Sequence, residues 1–178
     1  VDLSNGNYHL IEKKVVMEGQ KTAYFSEKFL EITVPVTTKE QIKEIKKTVT
    51  HIAKKHDEEP YKALATTQQA IFHQLEEQDE IDAAAIFDKV FEEKPLAREA
   101  AQLAITEERV PEKIAVTNVP KYERKYSKQK FKLDNGIEIT IPSEIYENKE
   151  MVEFINNPDG SVSVLIKNIE SILNKFNA

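Results

Sequence analysis

Two segments between Phe131 and Asn168 alternate apolar and polar residues on either side of a glycine-bearing turn, FKLDNGIEITI and VEFINNPDGSVSVLI. Strand side chains point alternately to opposite faces, so loop length decides which residues share a face, and a slip of one residue reverses every assignment. In the first segment, a two-residue Asn135-Gly136 turn sets Leu133 against Glu138 and Phe131 against Thr140, mixing apolar with polar on each face. A three-residue loop, Asp134-Asn135-Gly136, instead pairs Leu133 with Ile137 and Phe131 with Ile139, with Gly136 in the left-handed position. The second segment follows the same logic: with Pro158-Asp159-Gly160 as the loop, Phe154 faces Val164 and Val152 faces Ile166, Pro fits the first turn position, and Gly160 supplies the positive φ. The C-terminal end is therefore expected to hold two antiparallel hairpins in a defined register.

The rest of the chain reads as extended segments followed by helices. Residues 8–17 and 24–34 look extended; Leu30, Ile32 and Val34 alternate with Glu31 and Thr33, and Pro35 ends the run. Thr38 with Gln41 forms a capping box, followed by Ile42, Ile45, Val49, Ile52 and Ala53 on one helical stripe. A second helix starts after Pro60, carrying Tyr61, Leu64, Ala65, Ile71, Phe72 and Leu75. Asp79 is placed to cap a third, with Ala83, Ile86, Phe87, Val90 and Phe91 inward. Pro95 opens a fourth, with Leu96, Ala100, Leu103 and Ala104 inward. Ile114 and Val116 mark a brief strand. Asn168 is placed to cap a final helix bearing Ile169, Ile172, Leu173 and Phe176. The expected class is α+β, with antiparallel hairpins at the C-terminal end and extended N-terminal segments around a central cluster of about four helices. The expected organisation is one domain over residues 1–178, divisible into an extended segment (1–36), a helical cluster (37–108) and a basic lead-in with hairpins (109–178).

At 178 residues the chain is long enough to bury a normal core. No apolar run reaches membrane-spanning length, and the first residues lack the basic and apolar regions of a signal peptide. The chain does not begin with Met, which points to a fragment or a processed chain. Cysteine is absent, which excludes disulfides and thiolate metal sites and fits a reducing compartment. Gly6, Gly19, Gly136 and Gly160 are its glycines, and none belongs to a phosphate-cradling loop. No G-x-S-x-G elbow is present. His51 and His56 fall on different helix faces. The HDEE segment at 56–59 reads as a charged helix end, and His73 with Glu77 as an i, i+4 surface contact that lacks a third metal ligand. No catalytic residue, metal site or cofactor is expected, and a metal-dependent hydrolase is the weakest of the functional readings.

The net charge of −6 conceals strong segregation. From Asp57 to Glu99 acids far outnumber Lys62, Lys89, Lys94 and Arg98. From Lys121 to Lys132 one Glu stands against Lys121, Arg124, Lys125, Lys128, Lys130 and Lys132, interleaved with Tyr122, Tyr126 and Phe131. Cations neutralise phosphates and exposed rings stack on unpaired bases, so this run is the candidate nucleic-acid-binding site. Lys43, Lys46, Lys47, Lys54 and Lys55, mostly off the apolar stripe of the first helix, form a secondary basic face. The plain alternative for both is a solvated surface, with Phe131 already in the core.

GIEITIP from Gly136 and VEFINNPDGSVSVLIKNI from Val152 resemble the bacterial nucleoid-associated protein family (the NdpA-like proteins). YFSEKFLEI from Tyr24, followed by a lysine-bearing helix, is similar to that family's central region. The resemblance implies a cytoplasmic, nucleoid-located protein, of which this chain is the C-terminal portion, binding or organising DNA without catalysis. It also implies contacts with chromosome-associated proteins, topoisomerases among them, and leaves open a homodimer, or an interaction module that reaches the nucleoid through such a partner.

Overall fold

A computed structural model of the chain describes residues 12–13, 15–17, 20–22, 24–30, 36–107 and 109–173. The chain divides into two compact units, Val1–Thr37 and Thr38–Ala178.

In the first unit, β1 (Val15–Met17) and β2 (Gln20–Thr22) pair antiparallel, with Val16 opposite Lys21. Tyr24–Phe29 is a π-helical turn, in which the Leu30 N–H donates to the Phe25 carbonyl at 2.9 Å. This replaces the strand expected from residue 24. The Glu12 carboxylate accepts from the N–H groups of Phe25 and Ser26 and from the Ser26 hydroxyl, supplying the acceptors that the first N–H groups of a helical turn lack. These bonds, the Ser26 hydroxyl first, hold its carboxyl below the usual range. Ile32, Val34 and Pro35, and the segment before Glu12, lie outside the described residues.

The second unit begins with α1 (Thr38–Lys55), whose stripe of Ile42, Ile45, Val49, Ile52 and Ala53 is buried. Thr38 stands inside the helix rather than before it, and its hydroxyl donates to the Ala115 carbonyl at 3.4 Å, so the expected capping geometry is replaced by a tertiary contact. Asp57 ends the helix region in a left-handed conformation, φ 53°. The Lys94 ammonium donates to the carbonyls of His56 and Asp57, each at 3.1 Å, and pairs with Glu58 at 2.9 Å. A cation at a helix C-terminus meets the negative end of the dipole, so the HDEE segment is a helix end. Pro60 then opens α2 (Pro60–Glu77), which buries Ala63, Ile71, Phe72 and Leu75.

Strand β3 (Glu80–Asp82) follows and pairs antiparallel with β4 (Lys113–Ala115), setting the buried Ile81 opposite the buried Ile114. The short strand displaces the expected cap: Asp82, not Asp79, accepts from the Ala85 N–H at 2.9 Å and starts α3 (Ala83–Val90). On α4 (Pro95–Thr106) the expected Ala104 is buried and Ala100 packs against the core, but the expected leucines do not face inward. Ala97, Ala101 and Ala104 are buried, whereas Leu96 and Leu103 are 71% and 54% exposed. A row of alanines lets α4 approach α1 and α3 closely, where leucines would hold the axes apart.

The unit continues through α5 (Val119–Tyr126), β5 (Lys128–Lys132), β6 (Glu138–Pro142), α6 (Ser143–Glu147), β7 (Val152–Asn156) and β8 (Val162–Ile166). Both hairpins take the expected register: Phe131 lies opposite Ile139, Phe154 opposite Val164, and Val152 opposite Ile166. Gly136 and Gly160 have φ of +88° and +83°. The expected helix after Asn168 is absent through Leu173. Asn168 adopts φ 55° and donates its amide to the Glu150 carbonyl at 3.0 Å, a tie to the preceding segment in place of a cap. Phe176 lies outside the described residues. No helix among the described residues is long and apolar enough to cross a membrane. The fold is α+β.

Candidate nucleic-acid interface

The basic run divides into a helix and a strand. The Asn118 carboxamide accepts from the Lys121 N–H at 3.2 Å, and Pro120 sits in the first turn, so α5 has both a cap and a preset φ. Tyr122 and Tyr126, four residues apart, bury one face of α5, which packs on α2. Their rings stack on each other with centroids 6.4 Å apart, and burial pushes the Tyr126 phenol up to about 12. Neither ring offers a face to a base. They hold cations instead: the Lys125 ammonium lies 5.1 Å from the Tyr126 ring centre and 5.9 Å from that of Tyr122, and Lys121 lies 5.8 Å from Tyr122. Cation–π attraction of this kind places the ammonium groups without neutralising them.

α1 and α5 both pack against α2, and this brings lysines distant in sequence together. The Lys125 ammonium titrates below its ordinary value, first because it is partly desolvated and then because Lys46, Lys39 and Lys121 lie close enough to disfavour another positive charge. One residue of the secondary face, Lys46, therefore joins two of the primary run. Lys39 is a member that the sequence reading omitted; its i, i+4, i+7 spacing with Lys43 and Lys46 was the available signal. Lys43, Lys47, Lys54 and Lys55 are exposed on α1. Lys47 pairs with Glu44 at 3.3 Å, and Lys54 and Lys55 lie in the last turn, about 12 Å along the axis from Lys46. Arg124 is exposed on α5.

On β5, Lys128, Lys130 and Lys132 are exposed, and Gln129 and Phe131 occupy the opposite face. Gln129 is buried and donates to the Ala65 carbonyl at 3.0 Å. Phe131 packs against Tyr146 and Phe154, with centroids 5.6 and 5.1 Å away, so it belongs to an aromatic cluster rather than to an exposed stacking platform. Gln68 of α2 donates to the carbonyls of both Tyr126 and Lys128, at 3.2 and 2.8 Å, where helix becomes strand. The buried Ser143 hydroxyl also donates to Tyr126, at 2.9 Å.

His73 is paired differently from the expectation. Its ring nitrogens lie 2.5 Å from Glu147 and 3.4 Å from Glu76, not against Glu77, because α6 brings Glu147 to the surface of α2. Among the described residues no group of three or more His, Asp or Glu is arranged to hold a metal ion.

A family model described as nucleoid-associated protein YejK matches residues 2–174. No curated protein and no solved structure matches the chain.

Proposed function

Because the chain belongs to the family of nucleoid-associated protein YejK, we propose that it contacts DNA directly and helps to organise the chromosome, using lysines that α1 and α5 bring together. The observation that carries this reading is the packing of α1 and α5 on the same helix, α2, which sets Lys46, Lys39 and Lys121 close enough to Lys125 to disfavour its positive charge. Like charges held together are unfavourable in the free protein and are relieved by a polyanion, which exchanges its condensed counterions for them. None of the four is in an ion pair among the described residues.

An acidic chain then binds DNA through a local set of cations rather than through its net charge. Four lysine–phosphate contacts correspond to a slope of about −3.6 in a plot of log affinity against log salt for duplex DNA. Replacing Lys121→Glu and Lys125→Glu together is expected to flatten that slope by about half while leaving the thermal melt in place, read by fluorescence anisotropy of a labelled duplex. An unchanged slope in a folded double variant would remove the assignment.

A further inference from the structure

The ladder between β5 and β6 leaves one edge of β5 unused. The Leu133 N–H donates to the Ile137 carbonyl at 2.8 Å, and the Ser143 N–H to the Ser127 carbonyl at 2.9 Å. Hydrogen-bonded pairs alternate along an antiparallel ladder, so residues 129 and 131 also bond to β6, whereas the backbone groups of Lys128, Lys130 and Lys132 point the other way. Pro142, which has no N–H to give, sits opposite Lys128, where none is needed. On the open edge, the Lys128 carbonyl is taken by Gln68. The N–H and carbonyl groups of Lys130 and Lys132 have no partner there among the described residues.

These groups border a cleft of about 670 Å³ between α2, residues 129–135 and the second hairpin. Tyr61, Leu64, Phe154 and Val164 give it an apolar wall, and Val162 stands at its side, 41% exposed. Lys46 reaches the same cleft from α1. It also lies close enough to Lys125 to disfavour its positive charge, so Lys46 is common to the cleft and to the lysines of α1 and α5.

We propose that this cleft receives an unpaired base of DNA whose flanking phosphates run over Lys46, Lys130 and the lysines of α5. The proposal rests on the reading of those lysines as a DNA contact and adds a preference for gapped or single-stranded structure. An unpaired base has apolar faces, a hydrogen-bonding edge and a charged phosphate nearby. The cleft has a matching apolar wall, free strand-edge donors and acceptors, and cations at its mouth. Its volume lies in the usual range for small-ligand sites. A base within a duplex presents neither face and cannot enter. An extended peptide can also add to an open strand edge, but only Lys130 and Lys132 have free edge groups here, and the three lysines at the cleft favour a polyanion.

The test compares a labelled duplex with the same duplex carrying a short single-stranded gap, each titrated with the wild-type chain by anisotropy. Wild type is expected to bind the gapped form about ten-fold more tightly, the scale of one stacked base. Val162→Trp, which fills the cleft from its side, should remove that preference and leave duplex binding intact. Ile155→Trp, on the opposite face of the same hairpin, should leave both unchanged. Equal binding of gapped and intact DNA by wild type, or a preference that survives Val162→Trp, overturns the proposal. An alternating Val-Glu peptide that binds in a Val162-dependent way, in a protein with no gap preference, gives the cleft to a protein strand and also overturns it. The lysine reading fails separately, if the Lys121→Glu, Lys125→Glu variant keeps its full affinity for intact duplex.

Discussion

Both hairpins of the second unit close on a three-residue loop ending in a glycine at positive φ, and both set apolar residues opposite one another. Their surroundings differ. Gln129 and Ile141, paired across the first hairpin, are 3% and 4% exposed, and β6 runs directly into the buried Ser143. In the second, Val152 is buried, whereas Leu165 and Ile166 are 46% and 52% exposed. The same loop length with a left-handed glycine at its end therefore yields the same register in a covered hairpin and in an open one. Register is local, but the free energy that holds a two-stranded hairpin comes from what packs on it.

The largest expected effect that separates the two is in their apolar residues. Ile141→Ala should cost about 2–4 kcal/mol in urea melts, and Ile166→Ala less than about 1 kcal/mol; similar losses would break the contrast. The glycines should behave alike. A Cβ at Gly136 or Gly160 meets nothing within 4 Å, so only backbone strain remains, and Gly136→Val and Gly160→Val should each cost at least about 1 kcal/mol. A value near zero at either site would show that its loop does not hold the left-handed glycine.

The smallest effect separates the loops themselves. Asn135 and Asp159 play the same part, each side chain accepting from the N–H two residues on, at 3.1 and 2.9 Å. Only Asp159 can titrate. The Ser161 hydroxyl, and then the Ser161 N–H, hold its carboxyl below the usual range. Because the folded value is depressed, the resulting stability is present above the unfolded carboxyl value, about 3.9, and is lost as pH falls through the folded one. Amide exchange at Gly160 and Ser161 should therefore gain protection with rising pH across that acidic window, after correction for intrinsic rates. Asp159→Asn should flatten the response, and the first loop should show none from Asn135.

The same contrast explains what was legible in the sequence. Hairpin registers and the stripe of α1 could be read because their determinants are neighbours in the chain. The inward face of α4 could be read only in part, at Ala104, because larger leucines carry the stronger apolar signal whereas Ala97, Ala101 and Ala104 are the residues buried on a helix that packs on α1 and α3. Asp82 displaced Asp79 as a cap because β3 finds its partner in β4, a pairing between Glu80 and Ala115 that local spacing does not encode. α5 was hidden by its charge, although Asn118, Pro120 and the Tyr122–Tyr126 spacing were visible signs. Of the candidate interface, the exposure of the cations was legible, whereas Tyr122 and Tyr126 are buried and not open to a base. The meeting of Lys46 with Lys125 depends on two helices sharing a third.

Gln68 has a further consequence. By donating to the carbonyls of Tyr126 and Lys128, it fixes the joint between α5 and β5 on the body of α2. The spacing between Lys125 and the open edge at Lys130 is then set during folding, not when a ligand arrives. A binding surface carried on a loose linker would surrender that conformational freedom at each encounter, and preorganisation avoids the loss. Gln68→Ala would leave every lysine in place yet restore freedom to the segment that carries them.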